Sequence, residues 1–219
     1  MFDQLLRILF AVLVARPVSV LWLGLNVRGN HRLPSSGPAI VVANHNSHLD
    51  TLVLLSMFPL RRMHTVHPVA AADYFMSNRL LAWLSVKFIG IVPVDRKRAG
   101  NDDPLALCGE ALRKKQILLL FPEGTRGIPE EFQTFRSGIA ILAERFPGIS
   151  VVPVYLHGLG KAMPKGSAIA LPMFVDVNVG DHLCWEGDKA AYLTTLAERF
   201  FSMRQENGRP CFYADNSLE

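Results

Sequence analysis

A histidine and an aspartate five residues apart, His45 and Asp50, form the first pair in this chain able to move a proton. On one continuous helix they would point about 140° apart, given 3.6 residues per turn. They meet only if His45 lies in a loop and Asp50 in the first helical turn. Asp50 then accepts a proton from one ring nitrogen and leaves the other as a base. No serine or cysteine nucleophile accompanies the pair, so the attacking group belongs to the substrate. Ser47 to Asp50 fits a helix capping box equally well, with Ser47 at the N-cap and Asp50 at the third helical position. His45 and His48 are three apart and have no third ligand at zinc spacing, so no metal is expected.

A second group, Glu123-Gly124-Thr125-Arg126, has the parts of an anion site. Gly124 permits a tight turn that presents backbone N–H groups, Thr125 adds a hydroxyl, and Arg126 can fork onto a phosphate. The G-x-x-x-x-G-K pattern of a P-loop is missing. Asp95-Arg96 and His157-Gly158 are weaker; alone they read as a loop salt bridge and a packed histidine.

Each of these groups ends an apolar run. Ala39–Ala43 precedes His45, Ile91–Val94 precedes Asp95-Arg96, Ile117–Phe121 precedes Glu123, and Ser150–Leu156, with Pro153 inside it, precedes His157. Such runs predict buried strands. Further strands are expected at His67–Ala72 and Phe174–Val179. Helices are expected at Thr51–Met57, Asp73–Val86, Asp102 to about Lys115, Phe135–Phe146 and Lys189–Arg204. The alternation predicts an α/β fold with a largely parallel central sheet flanked by helices. In such a sheet the C-terminal strand ends share one edge, where ligands bind.

The chain has 219 residues, enough for one α/β domain with a sizeable core. It is 50% hydrophobic with a mean hydropathy of +0.22, which predicts apolar surface that meets lipid or a partner. The net charge of +4 comes from short basic groups: Arg61-Arg62, Arg96-Lys97-Arg98 and Arg113-Lys114-Lys115. None is the long basic tract with interleaved aromatics that suggests nucleic acid, whereas anionic headgroups or phosphorylated substrates suit them. The three cysteines, Cys108, Cys184 and Cys211, are odd in number and far apart, which favours a reducing compartment.

The first 27 residues are almost wholly apolar. Leu5–Val27 is long enough to span a bilayer, but Arg16 lies at its middle and Pro17 breaks the helix beside it. Two short helices dipping into one leaflet fit better, with Arg7 and Arg16 snorkelling to the headgroups. A signal peptide is disfavoured by Asp3 and by the lack of a small-x-small cleavage site. The organisation expected is a membrane-associating helical arm over 1–30 and an α/β domain over 31–219. That places the protein on the cytoplasmic face of a membrane, peripheral or monotopic.

Four blocks together resemble the glycerolipid acyltransferases of the 1-acylglycerol-3-phosphate O-acyltransferase type. N-H-x-x-x-x-D is matched at Asn44–Asp50, and a short strand closed by arginine at Gly90–Arg96. F-P-E-G-T-R is complete at Phe121–Arg126, and an apolar run around a proline is matched at Val151–Val154. Order and spacing fit, and the resemblance covers about Gly37 to Gly160. It implies that His45, oriented by Asp50, deprotonates the hydroxyl of a lysophospholipid, whose oxygen attacks an acyl thioester directly. Arg96, Glu123, Gly124, Thr125 and Arg126 would hold the acceptor, while Asn44 and Pro153 would build the structure around the acyl site. The donor would be acyl-CoA or acyl carrier protein, with no cofactor. Many members carry a lysine where this chain has the alanines of Pro68–Asp73, so a lyso-aminolipid acceptor stays open. A hydrolase using the same pair on water and a peripheral lipid-binding module are the other readings.

Overall fold

We describe a computed structural model of the chain, covering residues 2–72, 83–95, 103–126, 132–163 and 169–207. Seven strands form one sheet: β1 (Gly24–Arg28), β2 (Ala39–Ala43), β3 (Val66–Ala71), β4 (Val92–Val94), β5 (Ile117–Leu120), β6 (Ser150–His157) and β7 (Phe174–Val179). Their order is β1-β7-β6-β2-β5-β3-β4. Every neighbouring pair is parallel except β6 and β7. The fold is therefore the α/β arrangement with a largely parallel sheet.

β2 and β5 lie side by side at the centre, and every residue of both is buried. That is why they read as unbroken apolar runs, since a parallel sheet is covered on both faces. The two-residue period splits them between two cores. Val41, Leu119 and Val152 face a cluster completed by Ala11, Leu23, Val53 and Leu54. Ile40, Val42 and Leu118 face a second cluster completed by Leu112, Leu142, Leu196 and Phe200. The helices around the sheet are α1 (Phe2–Phe10), α2 (Leu49–Ser56), α3 (Ala106–Arg113), α4 (Gly138–Arg145), α5 (Leu159–Ala162) and α6 (Lys189–Asn207). α1 runs on through π-helical segments at Ala11–Ala15 and Val18–Trp22.

The structure differs from the sequence reading in several places. The helical part of the N-terminal arm ends at Trp22, and Gly24–Arg28 joins the sheet beside β7. β6 continues straight through Pro153, whose carbonyl accepts the N–H of Gly180 at 2.8 Å. The short helix α5 had no sequence signal. Most of the helix expected over Asp73–Val86 lies outside the described residues.

The two arginines of the arm do not snorkel. Arg7 is 7% exposed and donates to the carbonyls of Val66 and of Ile89, the latter at 3.2 Å. Burial lowers its pKa to about 10. Arg16 donates to the Phe58 carbonyl at 3.3 Å. These guanidiniums face the domain because strand and turn ends there present carbonyls that need donors. The opposite face is apolar and open to solvent: Leu13 is 68% and Leu21 83% exposed, with Leu5, Val20 and Trp22 also exposed. The helix Asp3–Trp22 is long and apolar enough to cross a membrane by length and composition.

Candidate functional site

The site lies where β2, β5 and β6 end together at the sheet's carboxyl edge. β2 is flanked by β5 on one side and β6 on the other, both parallel to it, so the three strands present their carboxyl ends together. In open α/β sheets ligands bind in the crevice at that edge.

Asn44 closes the β2 side of this crevice. Its amide Nδ2 donates to the Leu156 carbonyl at 2.9 Å, and its Oδ1 accepts the Leu156 N–H at 2.7 Å. A side chain thus continues the β2–β6 ladder one step past the strand end. His45 follows, in the loop, before α2 begins at Leu49.

Asp50, wholly buried in the first turn of α2, gathers three donors on one oxygen. Oδ2 accepts the N–H of Asn46 at 2.7 Å and of Ser47 at 2.9 Å, and lies 2.8 Å from His45 Nδ1. The two backbone groups only donate, so Oδ2 is held as an acceptor and the ring supplies Nδ1–H. Nε2 then carries the lone pair. Burial pushes the Asp50 carboxyl above its ordinary pKa, against these hydrogen bonds. The expected capping box differs: the N-cap is His48, with no side-chain cap hydrogen bond, and Asp50 instead ties the loop backbone and the histidine ring together. Ser47 is also tied elsewhere: its Oγ donates to the Met163 carbonyl just past α5 at 3.0 Å.

β5 delivers the other half of the site. The Phe121 ring stacks on the His45 imidazole, centroids 4.2 Å apart and planes 21° apart. Glu123 is 2% exposed, and its Oε1 accepts the His45 backbone N–H at 3.2 Å. Burial raises its pKa to about 7. Gly124 has φ +74°, the turn geometry that favours glycine. Thr125 is exposed, with its hydroxyl 3.3 Å from Gln133 Oε1. Arg126 is near enough to His48 that, after burial, its charge is the next cause lowering the pKa of that histidine.

The structure thus brings together His45, Asp50, Asn44, Glu123, Gly124, Thr125 and Arg126. Pro153 sits within β6, paired with Val42, one residue before the end of β2. Arg96 lies outside the described residues, though Asp95 is placed just past β4. Two residues were missed in the sequence. His48, exposed on the same loop, was weighed only as a metal ligand. Arg136 donates through Nε to the Glu123 carbonyl at 3.2 Å and through its backbone N–H to Pro122 at 2.8 Å. Its one sequence signal was a cation in the first turn of the helix expected over Phe135–Phe146, which in the structure starts only at Gly138.

Comparisons with known proteins give the family and the fold. A family model described as Acyltransferase matches residues 24–157, which include every site residue above except Met163. The chain is 34% identical over 145 residues to a chloroplastic 1-acyl-sn-glycerol-3-phosphate acyltransferase, LPAT1, of Arabidopsis thaliana, covering 65% of this chain and 38% of that one. It is 32% identical over 136 residues to the 1-acyl-sn-glycerol-3-phosphate acyltransferase alpha of Homo sapiens, covering 59% of this chain and 44% of that one. The chain therefore spans less than half the length of these relatives. In fold it is similar to the crystal structure of a 1-acyl-sn-glycerophosphate (LPA) acyltransferase, PlsC, from Thermotoga maritima. The TM-score is 0.74 at 21% identity, over 94% of this chain and 80% of the other.

Proposed function

This chain belongs to the acyltransferase family, and from that premise we propose that it moves a fatty acyl group from a thioester to the free hydroxyl of 1-acylglycerol-3-phosphate. The observation that carries the reading is the 2.8 Å contact between His45 Nδ1 and an Asp50 oxygen fixed as acceptor by two backbone N–H groups. It leaves Nε2 as a base with no protein nucleophile to activate, so the hydroxyl it deprotonates belongs to the substrate.

His45 Nε2 takes the hydroxyl proton as the acceptor oxygen bonds to the thioester carbonyl carbon. The tetrahedral intermediate collapses, the C–S bond breaks, and the imidazolium returns the proton to the departing sulfur. Asp50 stabilises the imidazolium between those steps, as a buried carboxylate on the far ring nitrogen does. Arg126, Thr125 and the turn at Gly124 hold the acceptor phosphate, with Arg96 as a further cation. Asn44 and Pro153 keep the strand ends that form the acyl site in register. The donor is acyl-CoA or acyl carrier protein, and no cofactor enters the chemistry.

The arm, residues 1–30, lays its exposed face of Leu5, Leu13, Leu21 and Trp22 into one leaflet of the membrane. Its arginines are committed to the domain, so it rests on the bilayer instead of crossing it. The protein is then peripheral or monotopic on the cytoplasmic face, where lysophospholipid and a soluble thioester both reach the crevice.

Product analysis tests this. Purified protein is given an acyl thioester with lysophosphatidic acid, with a lyso-aminolipid, or alone. Phosphatidic acid formed only in the first mixture supports the proposal. A diacyl product from the aminolipid instead would trace to the alanines at Ala70–Ala71, and thioester loss without acceptor would mean a hydrolase.

A further inference from the structure

We infer that Glu123, in the middle of the anion-site turn, is a positioning residue for His45 and makes no contact with the acceptor phosphate. The inference rests on the role of His45 proposed above.

Three observations carry it. First, Glu123 is 2% exposed, and one of its oxygens, Oε1, is taken by the His45 backbone N–H at 3.2 Å. The backbone of Gln133 also acts on this carboxylate, and Oε2 is buried with no hydrogen bond of normal geometry among the described residues. Second, Glu123 is held in place from its own backbone. Arg136 donates to its carbonyl at 3.2 Å and to that of Pro122 at 2.8 Å. Third, the same short stretch of chain places the Phe121 ring on the His45 imidazole at 4.2 Å. The end of β5 therefore grips His45 by ring face and by backbone, while Asp50 grips it by Nδ1.

The chemistry agrees with this geometry. A phosphate dianion is held by donors and cations, and a carboxylate facing it would repel it. Gly124, Thr125 and Arg126 offer what the phosphate needs; Glu123 does not. What Glu123 does offer is an acceptor for the one backbone N–H that sets where the loop places the imidazole. Misplacing a base by about 1 Å can cost on the order of a hundredfold in rate. An ionised Glu123 is the stronger acceptor, and its negative charge near His45 favours the imidazolium formed in mid-reaction. Its pKa, raised by burial to about 7, puts that preference within the working range of the reaction.

Two variants and two readouts test it on the full-length protein. Glu123→Ala removes the acceptor; Glu123→Gln keeps an oxygen at Oε1 and removes the titration. With acyl thioester and lysophosphatidic acid, Glu123→Ala is expected to lose about ten- to a hundredfold in kcat with the acceptor KM within about twofold. Glu123→Gln is expected to recover most of that loss and to drop the inflection near pH 7 from the kcat profile. An acceptor KM raised about tenfold in either variant, or kcat and KM both unchanged in Glu123→Ala, would overturn the inference. The second readout needs no turnover: the NMR shift of the His45 backbone amide through pH 5–9. The difference between the wild-type and Glu123→Gln shifts is expected to change through an inflection near pH 7; a difference that does not vary with pH would overturn the inference. If the wild type transfers no acyl group, the function proposed above fails, and the amide titration still decides whether Glu123 holds His45.

Discussion

Phe121 lies nearly flat on the imidazole of His45, ring centroids 4.2 Å and planes 21° apart. One residue directly follows the central strand β5 and the other follows its neighbour β2, so the stack joins the two halves of the crevice. It leaves the ring edge with Nε2 as the reactive direction. Phe121→Leu keeps most of the volume and loses the π face. An aromatic pair contributes about 0.5–1.5 kcal/mol beyond its buried area, so kcat is expected to fall about two- to tenfold with KM unchanged. Phe121→Tyr should stay within about twofold. Steady-state kinetics on the two variants check this.

Asp50 separates activity from stability. Asp50→Asn leaves an oxygen for the Asn46 and Ser47 N–H groups and removes a buried charge, so unfolding free energy should change by no more than about 1 kcal/mol. The tautomer of His45 is no longer fixed, and kcat should fall by about three to four orders of magnitude. Asp50→Ala orphans both N–H groups and should cost about 2–4 kcal/mol. Urea titrations beside kinetics distinguish the two.

Arg7 and His67 couple the N-terminal arm to pH. Burial first, and then the charge of Arg7, lower the His67 pKa to about 4, while its Nδ1 donates to the Gly90 carbonyl at 2.8 Å. The folded state holds this histidine neutral, so its contribution is fully present above about pH 6.5 and lost as pH falls toward 4. It amounts to about 2–3 kcal/mol after allowance for partial exposure. His67→Gln should flatten that acid limb in melts between pH 7.5 and 4.

Glu123 has the opposite sign. Its folded pKa of about 7 lies above the ordinary glutamate value, so its contribution is present below about pH 4.5 and lost as pH rises through 7. Glu123→Gln should therefore gain on the wild type at pH 8, by about 2–3 kcal/mol, and not at pH 4.5. The wild-type residue is kept at a stability cost, as expected of a group retained for function.

The parts of this molecule that were legible in the sequence are those written in apolar runs. β2 and β5 are buried on both faces and so carry no polar residue, and the clusters ending them mark the crevice. β1 was not legible, because Gly24–Arg28 continues the apolar arm and becomes a strand only by pairing with β7. Arg7 and Arg16 read as snorkelling cations because composition says nothing of the carbonyls at Val66, Ile89 and Phe58. Which way Glu123 faces was not legible, because a motif names residue types, not the direction a side chain takes. His45 and Asp50 were legible as a pair, but the sharing of one oxygen between ring and backbone needed coordinates.

The most direct test of the account is His45→Ala, assayed for acyl transfer to lysophosphatidic acid and for lysophosphatidic acid binding. The kcat is expected to fall by about a thousandfold or more, as loss of an essential base does, while binding stays within about twofold. A variant that still transfers acyl groups within about tenfold of the wild type would contradict it.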